Sequence, residues 1–183
     1  MNIAVTSVGL SATSVRSATI SASARRASIN DAAAIADLVN RAYRAEIFFV
    51  DGNRTSAAEI EALLGTGEFL VIDGPHGLAG AIYVDASGYD NGSKHSKISM
   101  VSVDPDMQRL GIGRRLIAIA EALSSALGCD TARLDVVSAR EELLRWYKGL
   151  GYREIGAAPY LHRPTKVPCH FVLFEKPLPL RDN

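Results

Sequence analysis

Residues 101–117 read VSVDPDMQRLGIGRRLI. An apolar, β-branched run ends at Asp104-Pro105, and a proline there prevents the strand from continuing. From Arg109 a helical pattern runs to about Leu127, with Leu116, Ile117, Ala120 and Leu123 inward and Gly128 closing it. A strand therefore hands over to a helix through a turn that holds Gly111 and Gly113. The first turn of a helix exposes unpaired N–H groups at the positive end of the helix dipole. Glycine lets an anion approach that backbone. Arg109, Arg114 and Arg115 add full positive charge around the rim. The stretch is built to hold a pyrophosphate. No Gly-Lys-Ser or Gly-Lys-Thr follows, so it is not a Walker loop. Leu116 stands where a dinucleotide fingerprint needs its third glycine. The glycine pair alone also fits a plain tight turn with solvated arginines.

Around this unit, strand and helix patterns alternate. Ser28 or Asn30 caps a helix with Asp31 in its first turn and an Ala34, Ile35, Leu38, Val39 stripe to about Tyr43. Ser56 and Glu59 form a capping box for a short helix that Gly65 ends. EFLVID and GLAGAIYVDAS read as strands joined through GPHG. YDNGSKHS reads as a polar turn before the strand KISMVSVDP, with the first strand of the chain beginning near Ala22. ARLDVVS is a strand and REELLRWYKGL a helix capped by Gly151. CHFVLFEKPL is a last strand alternating at Phe171, Leu173 and Glu175. This order predicts an α/β fold, one mixed sheet in a single layer with helices on it.

Composition bounds the function. The chain has 183 residues, 48% hydrophobic and 22% charged, which suits one soluble domain. Twenty basic and twenty acidic residues cancel, which argues against a nucleic-acid binder built on a broad basic face. No apolar run approaches the roughly 20 residues of a membrane span. Cys129 and Cys169 are far apart, lack metal-ligand spacing and read as buried thiols of a reduced, cytoplasmic protein. Residues 1–21 carry serines, alanines and arginine but no acid, so they read as an N-terminal extension ahead of a domain over residues 22–183. Their composition overlaps that of an organelle transit peptide.

Two motifs carry a family resemblance. Gln108-x-x-Gly111-x-Gly113, five residues after Val103, resembles the acetyl-CoA signature of the GNAT superfamily of N-acetyltransferases. ELLRWYKGLGY resembles that superfamily's late motif, with Tyr147, Gly151 and Tyr152 in place. RASINDAAAIADLVNRAY and HFVLFEKPL match its first unit and last strand more loosely, so the likeness runs from about Ala24 to Leu178. It implies a twisted mixed sheet of about six to seven strands flanked by about four helices, splayed into a V between strands four and five. Acetyl-CoA would lie in the V as co-substrate. Val101, Ser102 and Val103 would lend main-chain groups to its pantetheine arm. Gln108, Arg109, Leu110, Gly111, Ile112, Gly113 and Arg114 would form the pyrophosphate turn, with Gln108 anchoring it. The implied reaction is direct attack of a primary amine on the thioester, with Tyr147 as proton donor to the leaving thiolate.

The sequence also departs from the pattern. Lys97 stands where many members have a strand-four glutamate as base. Asp104 reads as a turn cap, leaving Glu46, Asp51, His95 and His162 as alternatives. Arg140 replaces an asparagine that touches the cofactor, and reads equally as a cofactor contact or a solvated side chain. The acceptor pocket would draw on AEIFFVDGNRT, with Phe48, Phe49 and Arg54, and on GAAPYLHRPTKVPCH, with Tyr160, His162 and Arg163. One phenylalanine would be buried and the other would line the pocket. Arg54 and Arg163 suit the carboxylate of a small amine such as an amino acid. No acid cluster offers a groove for a cationic peptide. The competing expectations are an acyl-CoA-binding module with weak catalysis and a protein N-terminal or lysine acetyltransferase. A homodimer fits the resemblance, but no residue specifies its interface.

Overall fold

The computed structural model describes residues 24–179. The polar caps set the first helices. Ser28 donates its N–H to Asp31 Oδ2 at 2.7 Å, in a 3-10 turn that leads into α1 (Ala32–Ala42). Ser56 and Glu59 exchange bonds at 3.3 and 2.9 Å to start α2 (Ala57–Leu64), as their spacing predicts. Ile35, Leu38, Val39 and Ile60 are fully buried and pack on Phe69, Val71, Ala81 and Tyr83. Those last four lie on β2 (Glu68–Gly74) and β3 (Gly77–Asp90). The opposite face holds Ile82, Val84 and Ile98, and α3 (Ile112–Ala126) covers it with Leu116, Ile117 and Ala120. Ile98 belongs to β4 (Ser93–Val103). Helices on both faces of one sheet bury the two stripes that the sequence pattern requires.

With β1 (Arg25–Arg26), β5 (Thr131–Val137), β6 (Arg153–Pro159) and β7 (His170–Pro177), the sheet has seven strands in the order β1-β2-β3-β4-β5-β7-β6. Helix α4 (Glu141–Gly149) follows β5. The expected mixed α/β sheet is present. The proposed extension over residues 1–21 lies outside the described residues.

Four local expectations are corrected. YDNGSKHS is mostly strand: β3 and β4 pair down to Asp90 and Ser93 around a two-residue Asn91-Gly92 turn. Both turn residues have positive φ, 46° and 81°, as a tight hairpin of this hand demands. The segment from Arg153 to Pro159 forms edge strand β6 against β7; six of its seven residues are exposed, so no alternation announces it. On β7 the residues inside the main core are Val172 and Phe174, whereas Phe171 faces a satellite cluster with Phe49, Val50 and Val137. Cys129 is buried but Cys169 is only partly so.

The V forms between β4 and β5. Their parallel pairing covers only His95 to Lys97 against Thr131 to Arg133. Beyond it, β4 carries one extra residue against β3: Ser99 and Ser102 oppose Tyr83 and Ala81. Met100 takes up the bulge at φ 51°. A bulge bends its strand and strengthens its twist. It carries Val101–Val103 away from β5 and leaves that edge of β4 without a strand partner among the described residues.

Candidate functional site

A cleft of about 640 Å³ fills the V. Val101 and Val103 line it from β4, and Asp135, Val136 and Val137 from β5. Gln108, Arg109, Gly111, Ile112, Gly113 and Arg114 close one end. Tyr147 and Trp146 of α4, Arg140 before it and Tyr43 after α1 complete the wall. Two residues expected here stand back. Ser102 is buried, pairs with β3 through its backbone and donates its hydroxyl to the Met100 carbonyl at 3.1 Å. Leu110 is 45% exposed outside the cleft.

The helix begins at Ile112, later than the Arg109 expected from the pattern. A 3-10 turn over Pro105–Met107 intervenes, and Asp104 caps it, accepting from Asp106 N–H at 3.0 Å. Asp104 also pairs with Arg41 at 2.8 Å, which ties α1 to the turn. Gly111 is the N-cap in the left-handed region, φ 81°, where a side chain would be strained. Arg115 N–H bonds the Gly111 carbonyl at 3.0 Å. The N–H groups of Ile112, Gly113 and Arg114 are therefore first-turn donors with no helical partner. A Cβ on Gly113 would sit 3.5 Å from Trp146 and 3.6 Å from Val103, an ordinary contact. Packing does not demand that glycine; its value is a bare backbone on the cleft.

Tyr147 is 6% exposed, with its ring against Trp146 and Tyr152 at 4.7 and 5.8 Å. Burial raises its pKa well above the ordinary phenol, so the hydroxyl stays protonated. Arg140 is not solvated. Its guanidinium reaches Glu46 at 3.2 Å and Glu142 at 2.5 Å. Glu46 is buried, and burial raises its pKa although Arg140 and Arg54 pull the other way.

Asp135 was not legible beforehand. It lines the cleft from β5 and is ion-paired to Lys97 of β4. The two are 38 positions apart, and no local pattern joins them. The carboxylate that Lys97 displaces from strand four is thus present from the neighbouring strand. None of Asp51, His95 and His162 lines the cleft itself. Asp51 is exposed and pairs with Lys166, His95 sits against Asp90 and Gly88, and exposed His162 packs beside Tyr160.

A second cavity of about 450 Å³ is lined by Arg54, Glu59, Met100, His162 and Arg163 among others. Phe49 is fully buried, 6.2 Å from Tyr160, and Phe48 is 50% exposed; neither lines either cavity. Among the described residues no helix is long and apolar enough to cross a membrane.

Comparison with known proteins agrees with this architecture. No curated protein matches the chain in sequence. The structure of smu.2055 from Streptococcus mutans superposes with a TM-score of 0.72 at 17% identity, covering 86% of this chain and 99% of that one. The ribosomal-protein-S18-alanine N-acetyltransferase of Escherichia coli gives 0.70 at 17% identity over 87% and 96%. Salmonella typhimurium yncA, solved with its cofactor acetyl-CoA, gives 0.68 at 19% identity over 88% and 96%. At such identities these likenesses speak for the fold alone. Residues 24–152, well over half of the chain, match the profile of the acetyltransferase (GNAT) family. The chain therefore belongs to the GNAT acetyltransferase family and is an acyltransferase.

Proposed function

We propose that this enzyme moves the acetyl group of acetyl-CoA to the primary amine of a small molecule. The observation that carries the reading is the meeting of three features in one cleft: an unpaired β4 edge, a glycine-built helix N-terminus and a buried tyrosine. These residues fit acetyl-CoA. Val101 and Val103 offer strand-edge backbone groups to an amide-bearing arm. The open N–H groups at Ile112 to Arg114, with the Arg109 and Arg114 guanidiniums, suit a pyrophosphate. Bound there, acetyl-CoA supplies a thioester carbonyl to the attacking amine.

The protein's own groups handle the protons. Tyr147 Oη–H is the donor to the sulfur as it leaves, and its burial keeps that proton in place. Asp135, in the cleft wall beside Lys97, accepts the proton that the amine gives up. Glu46 holds Arg140 in the wall.

The test is acetyl-CoA titration by calorimetry on wild type and Gly111→Asp. Aspartate tolerates the left-handed conformation better than most residues, and among the described residues no atom beyond the adjoining residues lies within 4 Å of the new Cβ. The variant should fold and lose binding, because it sets a negative charge at the anion site. Unchanged affinity would remove the proposed cofactor site.

A further inference from the structure

The chain satisfies many of its arginines with acids: Arg25, Arg26, Arg41, Arg133, Arg140 and Arg145 all form ion pairs. Two groups that line cavities are different. Arg109 and Arg114 face the cleft, where a pyrophosphate explains them. Arg54 and Arg163 face the second cavity, and no ion pair to a carboxylate is formed by either among the described residues. Arg163 spends two N–H groups on the carbonyls of Asp51 and Arg54, at 3.3 and 3.0 Å. That leaves three of a guanidinium's donors. Arg54 lies over the Tyr43 ring, with its guanidinium carbon 5.5 Å from the ring centroid.

The cavity adjoins the cleft. Tyr43 lines the cleft while Arg54, stacked on it, lines the cavity. A molecule seated on the arginines can therefore reach toward the reacting end of the V. A volume of about 450 Å³ falls among small-molecule sites.

Charge narrows the class. The permanent charges on the cavity are Arg54, Arg163 and Glu59. Glu59 is locked in its capping box, and hydrogen bonds from Thr55 and Ser56 lower its pKa, so it stays ionised. Two guanidiniums against one carboxylate leave a single net positive charge. That suits a monoanion; a phosphate dianion would stay partly uncompensated, and a polyamine would be repelled.

From this we infer that the acceptor is a small amine bearing a carboxylate, which Arg54 and Arg163 bind in the second cavity. The inference rests on the acetyl-transfer reading above and adds the acceptor's chemical class. Guanidinium and carboxylate match geometrically as well as in charge.

The experiment is thiol release from acetyl-CoA with paired acceptors, each free L-amino acid against its carboxamide. Intrinsic reactivity near neutral pH favours the carboxamide, because without the neighbouring negative charge its ammonium loses a proton more readily. A preference for the carboxylate form thus has to come from binding. Wild type should favour it at least tenfold in kcat/KM. Arg54→Gln should erase that preference mainly through KM, with acetyl-CoA affinity by calorimetry unchanged, and Arg54→Lys should keep part of it. Equal turnover, or preference for the carboxamide, overturns the inference; the second result points instead to a protein N-terminus as acceptor. Failure of every carboxylate-bearing amine with an enzyme that binds acetyl-CoA overturns it too, and leaves the cofactor site standing. An enzyme that binds no acetyl-CoA would take down both readings, and calorimetry separates that case from the others.

Discussion

The proposed proton chemistry rests on single residues. Burial raises the Tyr147 pKa above the ordinary phenol value of about 10. A raised pKa keeps the donor protonated across the working range, so no loss of kcat should be traceable to Tyr147 up to about pH 10. Tyr147→Phe should lower turnover by about 100-fold with acetyl-CoA affinity within twofold. A steady-state assay beside calorimetry checks both, and full activity would make Tyr147 a packing residue. Asp135→Asn should lower turnover by a similar factor, with acetyl-CoA affinity retained. Position alone led to the opposite side chain: Lys97 occupies the expected site of the base. A carboxylate reaches Lys97 from the next strand, because Asp135 lies two residues beyond Arg133, the residue that pairs with Lys97 in the parallel register. Glu46, one of the alternatives weighed from the sequence, is ion-paired to Arg140.

At the scale of the element, the turn into α3 separates stability from function. Gly111 needs its φ of 81°, and Gly113 does not need to be glycine for packing. Gly113→Ala adds a helix-favouring residue in ordinary contact with Trp146 and Val103. It should leave the fold as stable or raise it by up to about 1 kcal/mol in a urea melt. The same methyl group stands on the bare backbone of the cleft, so acetyl-CoA affinity should fall at least tenfold. A drop in both, or in neither, would mean the glycine serves something other than the anion. The Ser56–Glu59 capping box, the glycine turn and the apolar stripes were legible because each is a pattern within a few residues. Strand β6 was not, because an exposed edge strand has no buried face to impose alternation.

Over the whole molecule, the cleft joins two parts of the sheet. β4 contributes one wall, and β5 with α4 the other, and only three residue pairs bridge the strands. A ligand that spans both walls and binds the native state alone stabilises it by mass action, about 2.7 kcal/mol at 100 times its Kd. For a chain of this size that corresponds to a Tm rise of about 5 to 10 °C. A thermal melt with saturating acetyl-CoA should show it in wild type, and Gly111→Asp should show none. Local sequence determined the caps of the first helices, the glycine turn and the family, since caps, glycines and short motifs act within one or two turns of chain. Tertiary structure alone decided that Asp135 meets Lys97 and that Glu46 seats Arg140. Those partners are set by strand order and by the bulge at Met100, and no periodicity along the chain records which distant side chains a sheet will bring together.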